Sequence, residues 1–211
     1  MHNCIGVYLH GFLSSGKSEK GQWLVNQVRL EQQQSSEVVF SKFITVTYPI
    51  KSVAESINAI EKIIIQHKDK LAKIILLGSS MGGYYAQYFA DKYQLPYVMI
   101  NPALNPVPLF IQNQGEHINP STGEHVCIDN AYIQDIQKYD IESLNPNLPG
   151  LLLIDIDDEV IDVDFAIQRY KKIEQNQGSL SKIVVYSGGD HRFIHMDDAW
   201  LKIKEFVKSL P

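Results

Sequence analysis

The chain has little cysteine, no excess of positive charge and no long apolar run. Its two cysteines, Cys4 and Cys127, are too few for a disulfide framework or a zinc cluster. A net charge of −5 leaves no basic face of the kind nucleic-acid binding needs, so no nucleic-acid partner is expected. Basic residues cluster at Lys68–Lys73 and Arg169–Lys172, but each cluster falls on a predicted helix end or face, as solvated cations do. No stretch approaches the roughly 20 apolar residues of a bilayer span. The N-terminal apolar stretch is only about six residues with no basic leader, unlike a signal peptide. The expected location is therefore cytoplasmic, with no membrane partner. There is no internal repeat or low-complexity segment, and no signal for an oligomeric state.

What is present is the composition of an ordinary globular domain. The chain has 211 residues, 45% of them hydrophobic and 20% charged, enough for one domain with a real core. Short β-branched or apolar runs alternate with helical periodicity. Strands are predicted at Cys4–Leu9, Val38–Val46, Lys73–Leu77, Tyr97–Ile100, Leu151–Ile154 and Lys182–Tyr186. Helices are predicted at 17–34, 52–67, 81–93, 163–175 and 193–208. Val53, Ile57, Ile60, Ile63 and Ile64 form the clearest apolar stripe. This alternation implies an α/β three-layer sandwich, a mostly parallel sheet of about six strands with helices on both faces. Residues 102–150 break the rhythm with scattered prolines and poor periodicity until Ala131–Tyr139. They read as a single-domain chain's loop-rich, cap-like insertion, centred on about 102–131.

The chemistry-bearing stretch is Gly78-Ser79-Ser80-Met81-Gly82, at the join of a predicted strand and helix. A Gly-x-Ser-x-Gly turn there is a nucleophile elbow, which exposes the serine hydroxyl above the sheet. The pattern alone arises by chance in roughly one chain in fifteen of this length. Serine needs a base, and the base needs an orienting acid. Both follow in the order Ser, acid, His on later strand ends. Asp155-Ile156-Asp157-Asp158-Glu159-Val160 follows one strand, and Gly188-Gly189-Asp190-His191 follows the last. His191 is the candidate base. His195, about a turn later, should point elsewhere. Asp158, in an Asp-x-x-Val-like context, is the candidate acid, with Asp157 next and Asp162 expected to start or cap a helix. The oxyanion hole calls for two backbone N–H groups. Met81, just after the nucleophile, supplies one; Phe12, in the His10-Gly11-Phe12 loop, is the candidate for the other, with His10 holding that loop. Leu104, Leu109, Phe110 and Tyr84 are candidate walls of the substrate pocket, with core packing the competing role. No cofactor or metal is required.

Two rival readings share these residues. Gly11-Phe12-Leu13-Ser14-Ser15-Gly16-Lys17-Ser18 matches the phosphate-cradling P-loop, a pattern expected by chance in roughly one chain in a hundred. Asp155 after its strand would then hold magnesium in a phosphotransferase. Asp155-Ile156-Asp157 also echoes aspartyl-phosphate phosphatases, although it arrives late in the chain. The P-loop reading leaves the elbow and the Gly-Gly-Asp-His ending as coincidences. The hydrolase reading uses every strand end and leaves only Gly16-Lys17-Ser18 as an accident of a polar turn. A non-catalytic binding protein on the same scaffold is the remaining alternative.

The residues together resemble the small α/β-hydrolase esterases of the YqiA type, over nearly the whole chain. The resemblance runs through Tyr8-Leu9-His10-Gly11-Phe12 with Ser14-Ser15, Gly78–Tyr85, Asn101-Pro102-Ala103, Asn119-Pro120, Thr122-Gly123, Asp158-Glu159-Val160 and Gly188–His191. It implies a Ser80, Asp158, His191 triad acting on a small-molecule carboxylic ester or acyl thioester, without nucleotide. Asp157 stands where that family usually has glycine, which keeps the acid open between two neighbours. Arg192 stands where a small residue is common, a charge that would bear on acyl preference.

Overall fold

The computed structural model describes residues 4–34, 38–68 and 72–210, so part of the Lys68–Lys73 cluster lies outside the described residues. In chain order the elements are β1 (Cys4–Leu9), α1 (Glu19–Gln34), β2 (Lys42–Val46), α2 (Val53–Lys68), β3 (Lys73–Ser80), α3 (Met81–Tyr93) and β4 (Tyr97–Pro102). An excursion follows: α4 (Pro106–Gln112), β5 (Gly115–Ile118), β6 (His125–Ile128) and α5 (Asn130–Gln137). The chain then returns through β7 (Gly150–Asp155), α6 (Val163–Glu174), β8 (Ser181–Tyr186) and α7 (Met196–Ser209).

Six strands form one parallel sheet in the order β2-β1-β3-β4-β7-β8. Every residue of β1, β4 and β7 is buried, which explains why these strands read as continuous apolar runs rather than alternating ones. Successive side chains of a strand face opposite sides of the sheet. Leu76 joins Ile57, Ile60, Phe89 and Tyr170 on one side, whereas Ile75 and Leu77 join Leu24, Val28, Trp200 and Ile203 on the other. Helices therefore seal both faces, as expected for a three-layer α/β sandwich. Among the described residues no helix is long and apolar enough to cross a membrane.

The chain leaves β1 for the sheet edge at β2 and then crosses back to β3. This switch of direction opens a crevice beyond the carboxyl ends of β1 and β3. The loop after β1 and the elbow after β3 meet there.

Several element bounds depart from the sequence reading. β2 starts at Lys42, not Val38, because Phe40 turns fully inward against Phe43 and Trp200, and Ser41 N–H is spent on the Cys4 carbonyl. α7 starts at Met196, not Phe193, because Phe193 has φ +61°, which ends any right-handed helix upstream of it. The excursion is not merely loop. Its two helices have seven and eight residues, too short to show a clear helical period, and β5 and β6 form a separate antiparallel hairpin.

Candidate active site

Ser80 ends β3 and precedes α3, with φ 54° and ψ −124°. A non-glycine residue so placed stores roughly 1–3 kcal/mol of backbone strain, and the glycines around it make the turn possible. A Cβ on Gly78 would lie 2.0 Å from the Gly82 carbonyl oxygen, and one on Gly82 would lie 2.0 Å from that of Leu9. The Ser80 side chain does not cap α3, so its hydroxyl is not spent on the helix. Its carbonyl accepts the Ala103 N–H at 3.1 Å, which ties the elbow to the end of β4.

The loops after β7 and β8 bring Asp158 and His191 together. His191 Nδ1 lies 2.8 Å from Asp158 Oδ2 and 3.1 Å from Oδ1. A carboxylate only accepts, so Nδ1 carries the proton and neutral His191 keeps its lone pair on Nε2. Asp158 is buried and pinned, since its Oδ1 also accepts the N–H groups of Val160 and Ile161 at 2.9 and 3.2 Å. Asp157 is exposed. Asp162 caps α6 by accepting the Phe165 N–H. The His191 backbone is held from both sides. Its N–H donates to Glu159 Oε2 at 3.2 Å, and Lys20 Nζ, from α1, donates to the carbonyls of His191 and Arg192 at 3.4 and 3.0 Å. Burial pulls the Lys20 ammonium below its ordinary pKa, against the pull of Asp158, Glu19, Asp190 and Asp155.

His10 organises the loop opposite. The ring is fully buried, stacked on Tyr48 at 4.0 Å, and burial lowers its pKa to about 4. Its Nδ1 donates to the Gly11 carbonyl at 2.7 Å, Nε2 faces the Tyr48 N–H at 3.5 Å, and the Tyr48 hydroxyl donates to the His10 carbonyl. In a trans peptide the C=O and following N–H point opposite ways. Drawing the Gly11 carbonyl onto His10 therefore turns the Phe12 N–H away from that ring. Met81 is the first residue of α3, so its N–H has no partner within the helix.

The Gly11–Ser18 stretch uses its own amides. Gly16 N–H donates to Thr47 Oγ1 at 3.0 Å, Lys17 N–H to Ser15 Oγ at 3.2 Å, and Ser18 N–H to the Ser15 carbonyl at 2.9 Å. Lys17 itself is exposed. A phosphate cradle needs those amides pointing into open space.

Of the candidate pocket residues, Leu109 lines a cavity of about 230 Å³ with Ala103, Pro108, Val160 and Ile161. Leu104, Phe110 and Tyr84 are buried in the main core, and the Tyr84 hydroxyl donates to the Ile136 carbonyl at 2.8 Å. Phe110 and Tyr132 of the excursion close edge-on over Phe12, while Asn119 Nδ2 donates to the Ser14 carbonyl at 2.8 Å.

Two features were not singled out from sequence, and a third was named there without a role. Asn101, at φ +42°, accepts the Asp155 N–H at 2.8 Å and donates to the Asp190 carbonyl at 3.0 Å; its place in Asn101-Pro102-Ala103 was the available signal. Lys20 carries no local signal. His195, at the N-cap position of α7, does point away from Asp158 as expected, but it is paired: its Nδ1 donates to Asp155 Oδ1 at 2.7 Å.

Solved structures show where this architecture belongs. A putative hydrolase from Agrobacterium vitis S4 superposes with a TM-score of 0.72 at 16% identity, over 97% of this chain and 88% of that one. Est1E from Butyrivibrio proteoclasticus, in a structure with ferulic acid bound, gives 0.71 at 13%, over 97% and 88%. A Paleococcus ferrophilus monoacylglycerol lipase gives 0.68 at 16%, over 96% and 93%. The fold is that of the α/β-hydrolases. Residues 5–208 match the model of the uncharacterised protein family UPF0227, the YqiA-like family, and the chain belongs to that family.

Proposed function

We propose that the protein is a serine hydrolase acting on carboxylic esters or acyl thioesters through Ser80, His191 and Asp158. The observation that carries this reading is the Asp158–His191 contact of 2.8 Å, made between two loops that share a sheet end with the strained Ser80 elbow. His191 Nε2 takes the Ser80 proton as the hydroxyl oxygen attacks the substrate carbonyl, and the carboxylate of Asp158 stabilises the imidazolium. The N–H groups of Met81 and Phe12 receive the charge that develops on the carbonyl oxygen. The alcohol or thiol leaves with the proton returned by His191. Water, activated by the same imidazole, then attacks the acyl-enzyme and frees the acid and Ser80. The cavity beside Leu109, Val160 and Ile161 is a candidate berth for an acyl chain. Fold relatives described as a thermophilic esterase and a monoacylglycerol lipase support ester chemistry.

A fluorophosphonate probe, with a panel of p-nitrophenyl esters and acyl thioesters of graded length, tests the reading. Labelling and turnover are expected for the folded protein and not for Ser80→Ala. Folded protein that neither labels nor turns over any member of the panel overturns it.

A further inference from the structure

Two carboxylate–imidazole contacts, not one, join the end of β7 and its following loop to the segment between β8 and α7. Asp158 meets His191. Three residues earlier on the first loop and four later on the second, Asp155 meets His195 at 2.7 Å. The Asp155 carboxylate is wholly buried, and its second oxygen accepts the Ile194 N–H at 3.0 Å. The His195 ring lies flat on Tyr186, 4.9 Å between centroids.

This second contact does more than fill space. A buried carboxylate is costly to desolvate, and an apolar side chain of similar size would pack as well or better. Gly189 closes directly onto it: a Cβ there would lie 2.0 Å from Asp155 Oδ2. Between the two histidines stands Phe193, buried and at φ +61°, a conformation that costs roughly 1 kcal/mol or more and tends to relax. The other contacts between these segments, Glu159 Oε2 to the His191 N–H and the Asp157 N–H to the Gly188 carbonyl, reach His191 or residues before it, so the stretch after His191 can pivot about them. A second rung, on the far side of the strained residue, stops the pivot and keeps the strain from releasing.

We propose that Asp155 and His195 are a positioning pair, which fixes where His191 stands relative to Ser80 and acts through the loop rather than on substrate. The proposal rests on the serine-hydrolase reading above.

The test compares His195→Phe, which keeps a ring on Tyr186 but loses the donor, with His195→Asn, which keeps an N–H near the Nδ1 position. Turnover of p-nitrophenyl acetate is measured alongside the downfield proton NMR resonance of His191 Nδ1–H. His195→Phe is expected to lower kcat at least about tenfold through misplacement of the base, with KM within about twofold, and to shift or broaden the resonance. His195→Asn is expected to recover most of both. If His195→Phe does not fold, His195→Gln, whose N–H falls where Nε2 stood, takes its place. A folded variant with lowered Tm but native kcat and resonance overturns the proposal, as does His195→Asn proving as slow as His195→Phe. If the wild type and Ser80→Ala are equally inert, the hydrolase reading fails instead. The resonance, which needs no turnover, then still decides whether the pair positions His191.

Discussion

Gly11 stands directly against Ser80: a Cβ on Gly11 would lie 3.2 Å from the Ser80 Cβ and 3.7 Å from its Oγ. An alanine methyl there must push the loop away from Ser80, the proposed nucleophile. Gly11→Ala is expected to lower kcat/KM roughly tenfold or more, as loss of oxyanion contacts does, while the unfolding midpoint moves by only a few degrees. Steady-state ester hydrolysis beside a thermal melt checks both halves.

Asp157 and Asp158 are neighbours in opposite environments, one exposed and one buried against His191. Asp158→Asn is expected to cut kcat by about 10³ or more, because an amide favours the wrong imidazole tautomer. Asp157→Asn, a surface change, should leave kcat within about twofold. Equal losses in the two variants would refute the assignment of the acid.

His10 makes the fold acid-sensitive. Its folded pKa of about 4 lies below the ordinary 6.5, so between those values the unfolded chain binds a proton that the folded one refuses. Stability is then greatest above pH 6.5 and falls as the pH drops towards 4, by about 3 kcal/mol in all from this group. Urea titrations across that window should show the loss in wild type. His10→Gln, less stable at neutral pH, should show a flatter profile.

Gly82 faces the Leu9 carbonyl so closely that Gly82→Ala must separate α3 from β1. A backbone clash at 2.0 Å has no flexible side chain to yield, and the expected cost exceeds about 3 kcal/mol. Chemical denaturation of the purified variant, or its failure to accumulate as soluble protein, reads this out.

The sequence made the sheet and the Asp158–His191 pair legible because both rest on local pattern. Buried parallel strands leave apolar runs, and each loop's chemistry sits within a few residues of its strand end. The Asp-x-x-Val-like context put Asp158 ahead of Asp157 without separating them, since both carboxylates follow the same strand; burial and the amides of Val160 and Ile161 distinguish them in the structure. The Asp155–His195 contact was hidden for a different reason. A helix extrapolated back to Phe193 would misplace His195; α7 begins only at Met196, after Phe193 at φ +61°, and His195 stands just before it beside Asp155. Lys20 reaches His191 from 171 residues away, a contact that no local pattern encodes. The P-loop pattern is the opposite case: its spacing is correct, but the amides of Gly16, Lys17 and Ser18 are committed to Thr47 and Ser15.

Phe110, Tyr132 and Asn119 fasten the β4–β7 excursion to the loop after β1 at Phe12 and Ser14. Inheritance meets such fastening as linkage between traits. On the proposed serine-hydrolase reading, a lineage that reworked residues 105–137 to accept a different acyl group would also disturb the amide at Phe12. Selectivity and rate in this scaffold would have to evolve together.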